Sequence, residues 1–108
     1  VVDALLLAAT AGQTAGQAYI FGSGVGLKFH EMVEQVVNEV RSLVGLEAEI
    51  RWVPFPPSEK KIDSGNFIAD NSKFCKHTGW VPQISFTEGL HNTIRFYQKH
   101  MEEYSSDR

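Results

Sequence analysis

Hydrophobic residues recur along this chain with two kinds of spacing, and the clearest is a helical one from about Lys28 to Val44. The apolar positions there follow each other at intervals of three and four, which places them on one face of an α-helix. They are Phe29, Met32, Val33, Val36, Val37, Val40, Leu43 and Val44. Gly45 comes directly after them and is the residue type that most often ends a helix. The pattern predicts an amphipathic helix over residues 28–44.

Two further helices are predicted towards the end of the chain. Ser85 and Glu88 form a capping box, in which each side chain can satisfy a free backbone amide at a helix start. The apolar residues that follow at helical spacing are Phe86, Leu90, Ile94, Tyr97, Met101 and Tyr104. Before this helix, Asp70 can cap a short helix from about Ser72 to Thr78.

Three short runs of β-prone residues lie between the helical segments, at Gln17–Phe21, Ile50–Val53 and Phe67–Ala69. Pro54 to Pro57 follow the second run and are expected to be stiff and extended, since each proline fixes its own φ angle. Helices and single short strands therefore alternate, without a long run of strands. The predicted class is α/β, as an α+β-like small domain of three to four helices with a small sheet.

The first helix is unusual because Val1–Ala9 carries a single polar side chain, Asp3. A helix that is apolar on all sides must be covered on all sides. We expect that the chain begins inside a helix and is cut from a longer polypeptide. The alternative is a fully buried helix of a compact domain. If it is uncovered, this helix is a candidate surface for self-association.

The length and composition limit the classes of function. A chain of 108 residues fits one domain, predicted here as residues 1–108. The net charge of −3, without a long basic run, argues against nucleic acid or an anionic membrane as the main partner. Cys75 is alone, and neither a membrane span nor a secretion signal is visible, so the prediction is a cytoplasmic protein. No metal site is predicted, because the four histidines lack ligand spacing with Cys75 or with one another; they are His30, His77, His91 and His100.

A glycine-rich segment lies between the first predicted strand and the amphipathic helix. Gly22 and Gly24 fit the first two glycines of the dinucleotide-binding pattern G-x-G-x-x-G. The third position is Leu27, and the strand that follows ends without the acidic residue that would bind a ribose. We interpret the segment as a tight turn. A small anion at the helix N-terminus is the weaker alternative.

Candidate binding chemistry lies just after the prolines, where Lys60 and Lys61 precede Asp63. A diphosphate needs cationic donors, and a ribose needs an acceptor for its hydroxyl groups. Because the proline segment before them is rigid and extended, Lys60 and Asp63 could both point into a cleft. The alternative is an ordinary solvated loop.

Six short motifs follow one another along nearly the whole chain: Val1–Ala9, Phe21–Gly24, Lys60–Asp63, Ala69–Lys73, Gly79–Pro82 and Glu88–Leu90. In this order and spacing they resemble the C-terminal portion of an extended short-chain dehydrogenase/reductase, of the NAD-dependent nucleotide-sugar epimerase/dehydratase family. The resemblance implies a substrate-binding domain whose partner is a nucleoside diphosphate sugar. It implies that Lys60 contacts the diphosphate, where the family usually has Arg, with Lys61 as a substitute. It implies that Asp63 contacts the ribose of the nucleotide.

The resemblance also implies that the cofactor and the catalytic residues lie elsewhere. In this family NAD and the catalytic Tyr and Lys belong to an N-terminal Rossmann domain, which is absent from this chain. No Tyr-x-x-x-Lys occurs, because the residues four places after the three tyrosines are Ser23, Met101 and Arg108. We therefore expect no catalytic or cofactor-binding residue here, and no turnover by this chain alone. The alternative is a stand-alone, non-enzymatic module that acts through protein–protein association.

Overall fold

The computed structural model describes residues 1–57 and 66–105. Within them the chain forms four helices: α1 (Val2–Thr10), α2 (Phe29–Val44), α3 (Ser72–Thr78) and α4 (Phe86–Ser105). All four lie where the sequence predicts helices. The chain divides into two compact units: Val1–Gly26 with Lys61–Gln83, and Leu27–Lys60 with Ile84–Arg108. We call them unit 1 and unit 2 and describe each by itself; the single domain over residues 1–108 stays a prediction.

Unit 2 is built on the pairing of α2 with α4. Gly45 ends α2 in the left-handed conformation, with φ of 74°, as its position predicts. The Ser85 hydroxyl accepts a hydrogen bond from the Glu88 amide at 3.2 Å, which confirms Ser85 as a cap of α4. Of the apolar stripe on α4, Ile94 is buried, whereas Met101 and Tyr104 are exposed. The helix pair therefore covers the first half of α4 better than the second.

Polar side chains contribute to the contact between α2 and α4. Gln35 hydrogen-bonds Thr87, and Glu39 pairs with His91. Farther along, the Gln98 amide lies 3.4 Å from the Leu43 carbonyl oxygen. Gln35 and Glu39 are not members of the apolar stripe of α2, so the contact between the helices is wider than that stripe.

Unit 1 contains α1, α3 and the segments around them. The turn after α1 folds back on it, because the Thr14 hydroxyl lies 2.7 Å from the Ala8 carbonyl oxygen and also contacts that of Ala11. Thr14 is only 8% exposed, and these hydrogen bonds satisfy its buried hydroxyl. On α3, Phe74 is only 1% exposed. Gly79 ends α3 with φ of 73°.

The expected α/β fold with a small sheet is wrong, because residues 1–57 and 66–105 contain no strand. A strand exists only where a neighbour supplies ladder hydrogen bonds. Outside the helices, the backbone hydrogen bonds of the described residues are confined to turns and helix ends. Tyr19 and Phe21 of the first run pack their rings against Phe74 instead. Ile20 is exposed, as are Trp52 and Val53 of the second run. The described fold is all-helical.

The apolar α1 is covered on one side only. Ala4 is completely buried, whereas Val2, Leu5 and Leu6, which share the opposite face of the helix, are exposed. The alternative of a fully buried first helix is therefore not what this structure has. Among the helices of the described residues, none combines the length and the hydropathy that are needed to cross a bilayer.

Candidate functional site

The three residues predicted to bind substrate, Lys60, Lys61 and Asp63, lie outside the described residues. Their roles stay predictions. The glycine segment and the Ala69–Lys73 motif are among the motifs of the resemblance that the structure does describe, and both belong to unit 1.

These two motifs lie against each other. The Asn71 side-chain amide donates a hydrogen bond of 2.7 Å to the Gly22 carbonyl oxygen, across 49 residues of sequence. A Cβ atom added at Gly22 would lie 2.8 Å from the Ala69 Cβ, and one added at Gly26 would lie 2.6 Å from the Ile68 Cδ1. Glycine is therefore required at position 22 by the close approach of the two segments.

Gly24 has a different role from its neighbours. Its φ of 71° lies in the left-handed region, which other residues adopt only with strain. The Val25 amide donates a hydrogen bond of 3.2 Å to the Ser23 hydroxyl beside it. The segment bends at Gly22, and its interpretation as a tight turn stays a prediction. The contacts of Gly22 and Gly26 add a packing role that the sequence did not reveal.

The start of α3 is set by two adjacent residues. The Asp70 carboxylate accepts a hydrogen bond of 3.0 Å from the Ser72 amide, and Asn71 occupies the N-cap position without a side-chain cap bond. Hydrogen bonds from the Ser72 side chain and then from its amide hold the pKa of the Asp70 carboxyl below its usual value. Asp70 thus supports the helix start as predicted, whereas the Asn71 side chain is committed to Gly22.

An aromatic cluster packs beneath these motifs. The Phe74 ring centroid lies 5.4 Å from that of Tyr19, 5.7 Å from Phe21 and 5.6 Å from Trp80. Phe21 and Trp80 also meet edge to face at 5.9 Å. These separations are typical of favourable aromatic pairs. The cluster brings the Gly-Trp motif to the same place as the glycine segment and the start of α3.

A polar group lies at the edge of the cluster. The Tyr19 hydroxyl is 2.7 Å from His77 Nδ1 and 3.3 Å from the Gln13 carbonyl oxygen. The Lys73 amine lies 3.1 Å from both Gln17 Oε1 and the Ala18 carbonyl oxygen, and 4.9 Å from the centre of the Tyr19 ring. The amine is thus already bound by two oxygen atoms. It ties α3 to residues 17–19 and leaves little donor capacity for a ligand.

Sequence reasoning missed this polar group. It considered His77 as a possible metal ligand and rejected that role, and it used Lys73 only as part of a motif. A signal was present, because Lys73 and His77 are four residues apart and so share one face of α3. Their common partner Tyr19, 58 residues from His77, cannot be read from local spacing.

The contacts described around Phe74 are those of packing and internal hydrogen bonding. Across residues 1–57 and 66–105, no group of three His, Cys, Asp or Glu side chains could hold a metal ion. Cys75 is a free thiol that is half-buried on α3. The arrangement around Phe74 is a scaffold that holds the glycine segment and the start of α3 together.

Comparison of the chain with protein-family models, with curated proteins and with solved structures finds nothing that matches it. The family is therefore a proposal, and its grounds are the motifs in the sequence and the contacts between them.

Proposed function

We propose that this chain supplies the substrate-binding part of an NAD-dependent nucleotide-sugar epimerase or dehydratase, and that it binds the nucleoside diphosphate portion of the substrate. One observation carries the proposal: three motifs of the resemblance, dispersed over residues 21–82, are in contact with one another. Asn71 joins the Gly22 carbonyl, and Trp80 packs on Phe21 and Phe74. Their contact supports the proposal, because motifs that serve one binding region must lie together.

The binding roles in this proposal belong to the charged residues that precede the Ala69–Lys73 motif. Lys60 supplies a positive charge to the diphosphate, with Lys61 as a second donor. Asp63 accepts hydrogen bonds from the ribose hydroxyls. The NAD cofactor and the proton-transfer groups belong to an N-terminal Rossmann domain, so this chain alone binds substrate weakly and does not turn it over.

Calorimetry with the 108-residue chain tests the proposal, with UDP-glucose, dTDP-glucose and GDP-mannose as probes. We expect at least one of them to bind, and Lys60→Ala to weaken that binding by about 1.5 kcal/mol, the lower end for a hydrogen bond to a charged group. Asp63→Ala is expected to cost less binding free energy. It should weaken the binding of the nucleotide sugar but not that of the free sugar.

Two controls sharpen this experiment. Lys99→Ala removes an exposed lysine from α4 and should leave the affinity unchanged. NAD itself should not bind to this chain. Micromolar affinity for NAD, or equal effects of Lys60→Ala and Lys99→Ala, would contradict the proposed division between substrate and cofactor domains.

A second candidate function is self-association through the outer face of α1. The observation that favours it is the exposure of adjacent apolar side chains on that face, with Leu5 56% and Leu6 60% exposed. Pairing with a second copy would remove these side chains from water. We propose this role as the alternative to substrate binding.

Sedimentation equilibrium measures this association directly. Leu6→Glu places a charge in the outer face of α1 and should shift a dimer to monomer. Leu46→Glu is the matched control, because Leu46 is equally exposed in unit 2. A chain that remains monomeric at high concentration would remove the alternative.

A further inference from the structure

An exposed segment of unit 2 has a pattern that the proposed function does not use. Residues 51–57 read Arg51-Trp52-Val53-Pro54-Phe55-Pro56-Pro57, and every one of them is exposed. The largest exposed fractions among its apolar side chains are those of Val53, at 80%, and Trp52, at 64%. Segments of this composition usually bury their aromatic and aliphatic side chains. Here three apolar side chains and three prolines face solvent in one continuous stretch.

The backbone of this segment is biased towards one conformation. Each proline fixes its own φ near −65°, and the residue before a proline is held in the β or polyproline II region. In residues 53–57 every position is a proline, precedes one, or both. Pro57 lies in a turn, and residues 51–56 have no secondary structure and no backbone–backbone hydrogen bond to another described residue. A partner would therefore meet a segment that is biased to polyproline II and whose backbone is free of helix or sheet.

Polyproline II geometry sorts the seven residues onto three edges. The helix has three residues per turn, so side chains three apart in sequence lie on the same edge. One edge carries Arg51, Pro54 and Pro57, and the adjacent edge carries Val53 and Pro56. The third edge carries the two aromatic residues, Trp52 and Phe55. The first two edges together present two apolar-proline pairs, Val53-Pro54 and Pro56-Pro57, with a cation one turn ahead of them.

We propose that residues 51–57 are a docking segment for an SH3-fold domain, bound as a polyproline II helix. The groove of such a domain is lined by aromatic side chains and takes P-x-x-P segments in this conformation. Two apolar-proline pairs fill its two aromatic pockets. Arg51 then reaches the acidic end of the groove, where a guanidinium can pair with carboxylates.

The position of the charge selects this class of partner and the direction of binding. Ser58-Glu59 follow the last proline in the sequence. WW domains commonly read a tyrosine after a proline pair, and EVH1 domains read a longer proline run. Neither feature is present here. Glu59 also has the wrong sign for the reversed SH3 orientation, in which the cation follows the prolines. The segment fits an arginine-first ligand.

Arg51 is available for such an interaction. Its guanidinium lies 3.3 Å from the Glu49 carboxylate, and both side chains are mostly exposed, at 81% and 75%. Pairs of this kind are screened by water and contribute little to stability. Arg51 can therefore leave the Glu49 carboxylate and pair with several carboxylates of the SH3 groove.

The test is a titration of a ¹⁵N-labelled, recombinant SH3 domain of the arginine-first class with the full 108-residue chain. We expect chemical-shift changes in the aromatic groove and the acidic end of the SH3 domain. Pro54→Ala, Pro57→Ala and Arg51→Glu should each raise the Kd by at least about tenfold, as loss of an anchor residue does at an interface. Far-UV circular dichroism checks that each variant keeps its helices.

Trp52→Ala and Phe55→Ala are the matched controls, because both residues lie on the edge that faces away from the groove. Each should change the Kd by less than about twofold, as peripheral contacts do. The inference is wrong if the SH3 domain shows no shift changes at about 1 mM chain, a concentration that detects even weak association. It is equally wrong if the two aromatic variants abolish binding while Pro54→Ala and Pro57→Ala retain it.

Discussion

The side chain of Asn71 donates a hydrogen bond of 2.7 Å to the carbonyl oxygen of Gly22, 49 residues earlier in the chain. This bond fixes the glycine segment against the start of α3. The two segments also approach closely, since Ala69 leaves no room for a side chain at Gly22. Unit 1 therefore depends on a specific contact between residues that no local pattern connects.

Removal of this hydrogen bond should weaken unit 1. Asn71→Ala leaves the Gly22 carbonyl without its partner, and we expect a loss of about 0.5–1.5 kcal/mol in the free energy of unfolding. Urea denaturation, followed by tryptophan fluorescence, measures the loss, because Trp80 belongs to the same unit. Asn38→Ala, on an exposed position of α2, is the control and should be neutral or slightly stabilising.

The three glycine positions of unit 1 should respond differently to alanine. Gly22→Ala forces a Cβ to within 2.8 Å of the Ala69 Cβ, so we expect a cost of about 1–3 kcal/mol from overpacking. Gly26→Ala meets Cδ1 and Cγ1 of Ile68 at 2.6 and 3.1 Å, but this exposed side chain can rotate away, so the substitution should cost less. Gly12→Ala has open space around it and should be neutral or stabilising.

The double variant Gly22→Ala/Ala69→Gly provides a further check by urea denaturation. Removal of the Ala69 methyl group should restore part of the stability that Gly22→Ala loses. If the double variant is no more stable than Gly22→Ala, the close approach of the two segments is not the cause of the loss.

The helices of this chain could be predicted from the sequence because their signals are local. The spacing of apolar residues and Gly45 define α2, and Ser85 defines the start of α4. The prediction of a sheet was wrong because β-propensity describes residues that fit the surface of a sheet. It does not show that a partner strand is present. Tyr19 and Phe21 alternate as strand residues do, yet their rings pack against Phe74.

The candidate site could be predicted only in part for the same reason. The sequence identifies the motifs at Gly22–Gly24 and Ala69–Lys73, and their mutual contact is a property of the folded chain. The bonds of Tyr19 with His77 and of Lys73 with the Ala18 carbonyl join residues more than 50 positions apart. Such contacts follow from tertiary packing, which residue spacing within one element does not encode.

Phe74 should be the most sensitive single position of unit 1. It is almost completely buried and touches the rings of Tyr19, Phe21 and Trp80. Phe74→Ala is expected to cost about 3–5 kcal/mol, because it removes the ring and leaves a cavity.

Phe67→Ala is the matched control for this prediction, since Phe67 is 80% exposed in the same unit. It should leave the urea midpoint nearly unchanged. Near-UV circular dichroism provides a second readout, because loss of the cluster should remove the tryptophan and tyrosine signals of unit 1. Equal effects of the two phenylalanine substitutions would contradict the assignment of Phe74 as the core of this unit.

The start of α3 should respond to acid. The ordinary pKa of the Asp70 carboxyl is 3.8, and the hydrogen bonds from the Ser72 side chain and amide lower it in the folded chain. The stabilisation is therefore fully present above pH 3.8, the value in the unfolded chain. It is lost as the pH falls through the lowered folded value. Because Asp70 is exposed, the effect belongs to the first turn of α3 and not to the whole unit.

A ¹³C titration of the Asp70 carboxyl group by NMR tests this assignment. We expect its pKa below 3.8 in the unaltered chain, and closer to 3.8 in Ser72→Ala, because that substitution removes the side-chain hydrogen bond and keeps the amide. Ser85→Ala removes the corresponding hydroxyl from the start of α4 and should leave the pKa of Asp70 unchanged. An Asp70 pKa at or above 3.8 would show that Ser72 does not stabilise the ionised carboxylate, and that α3 begins without this support.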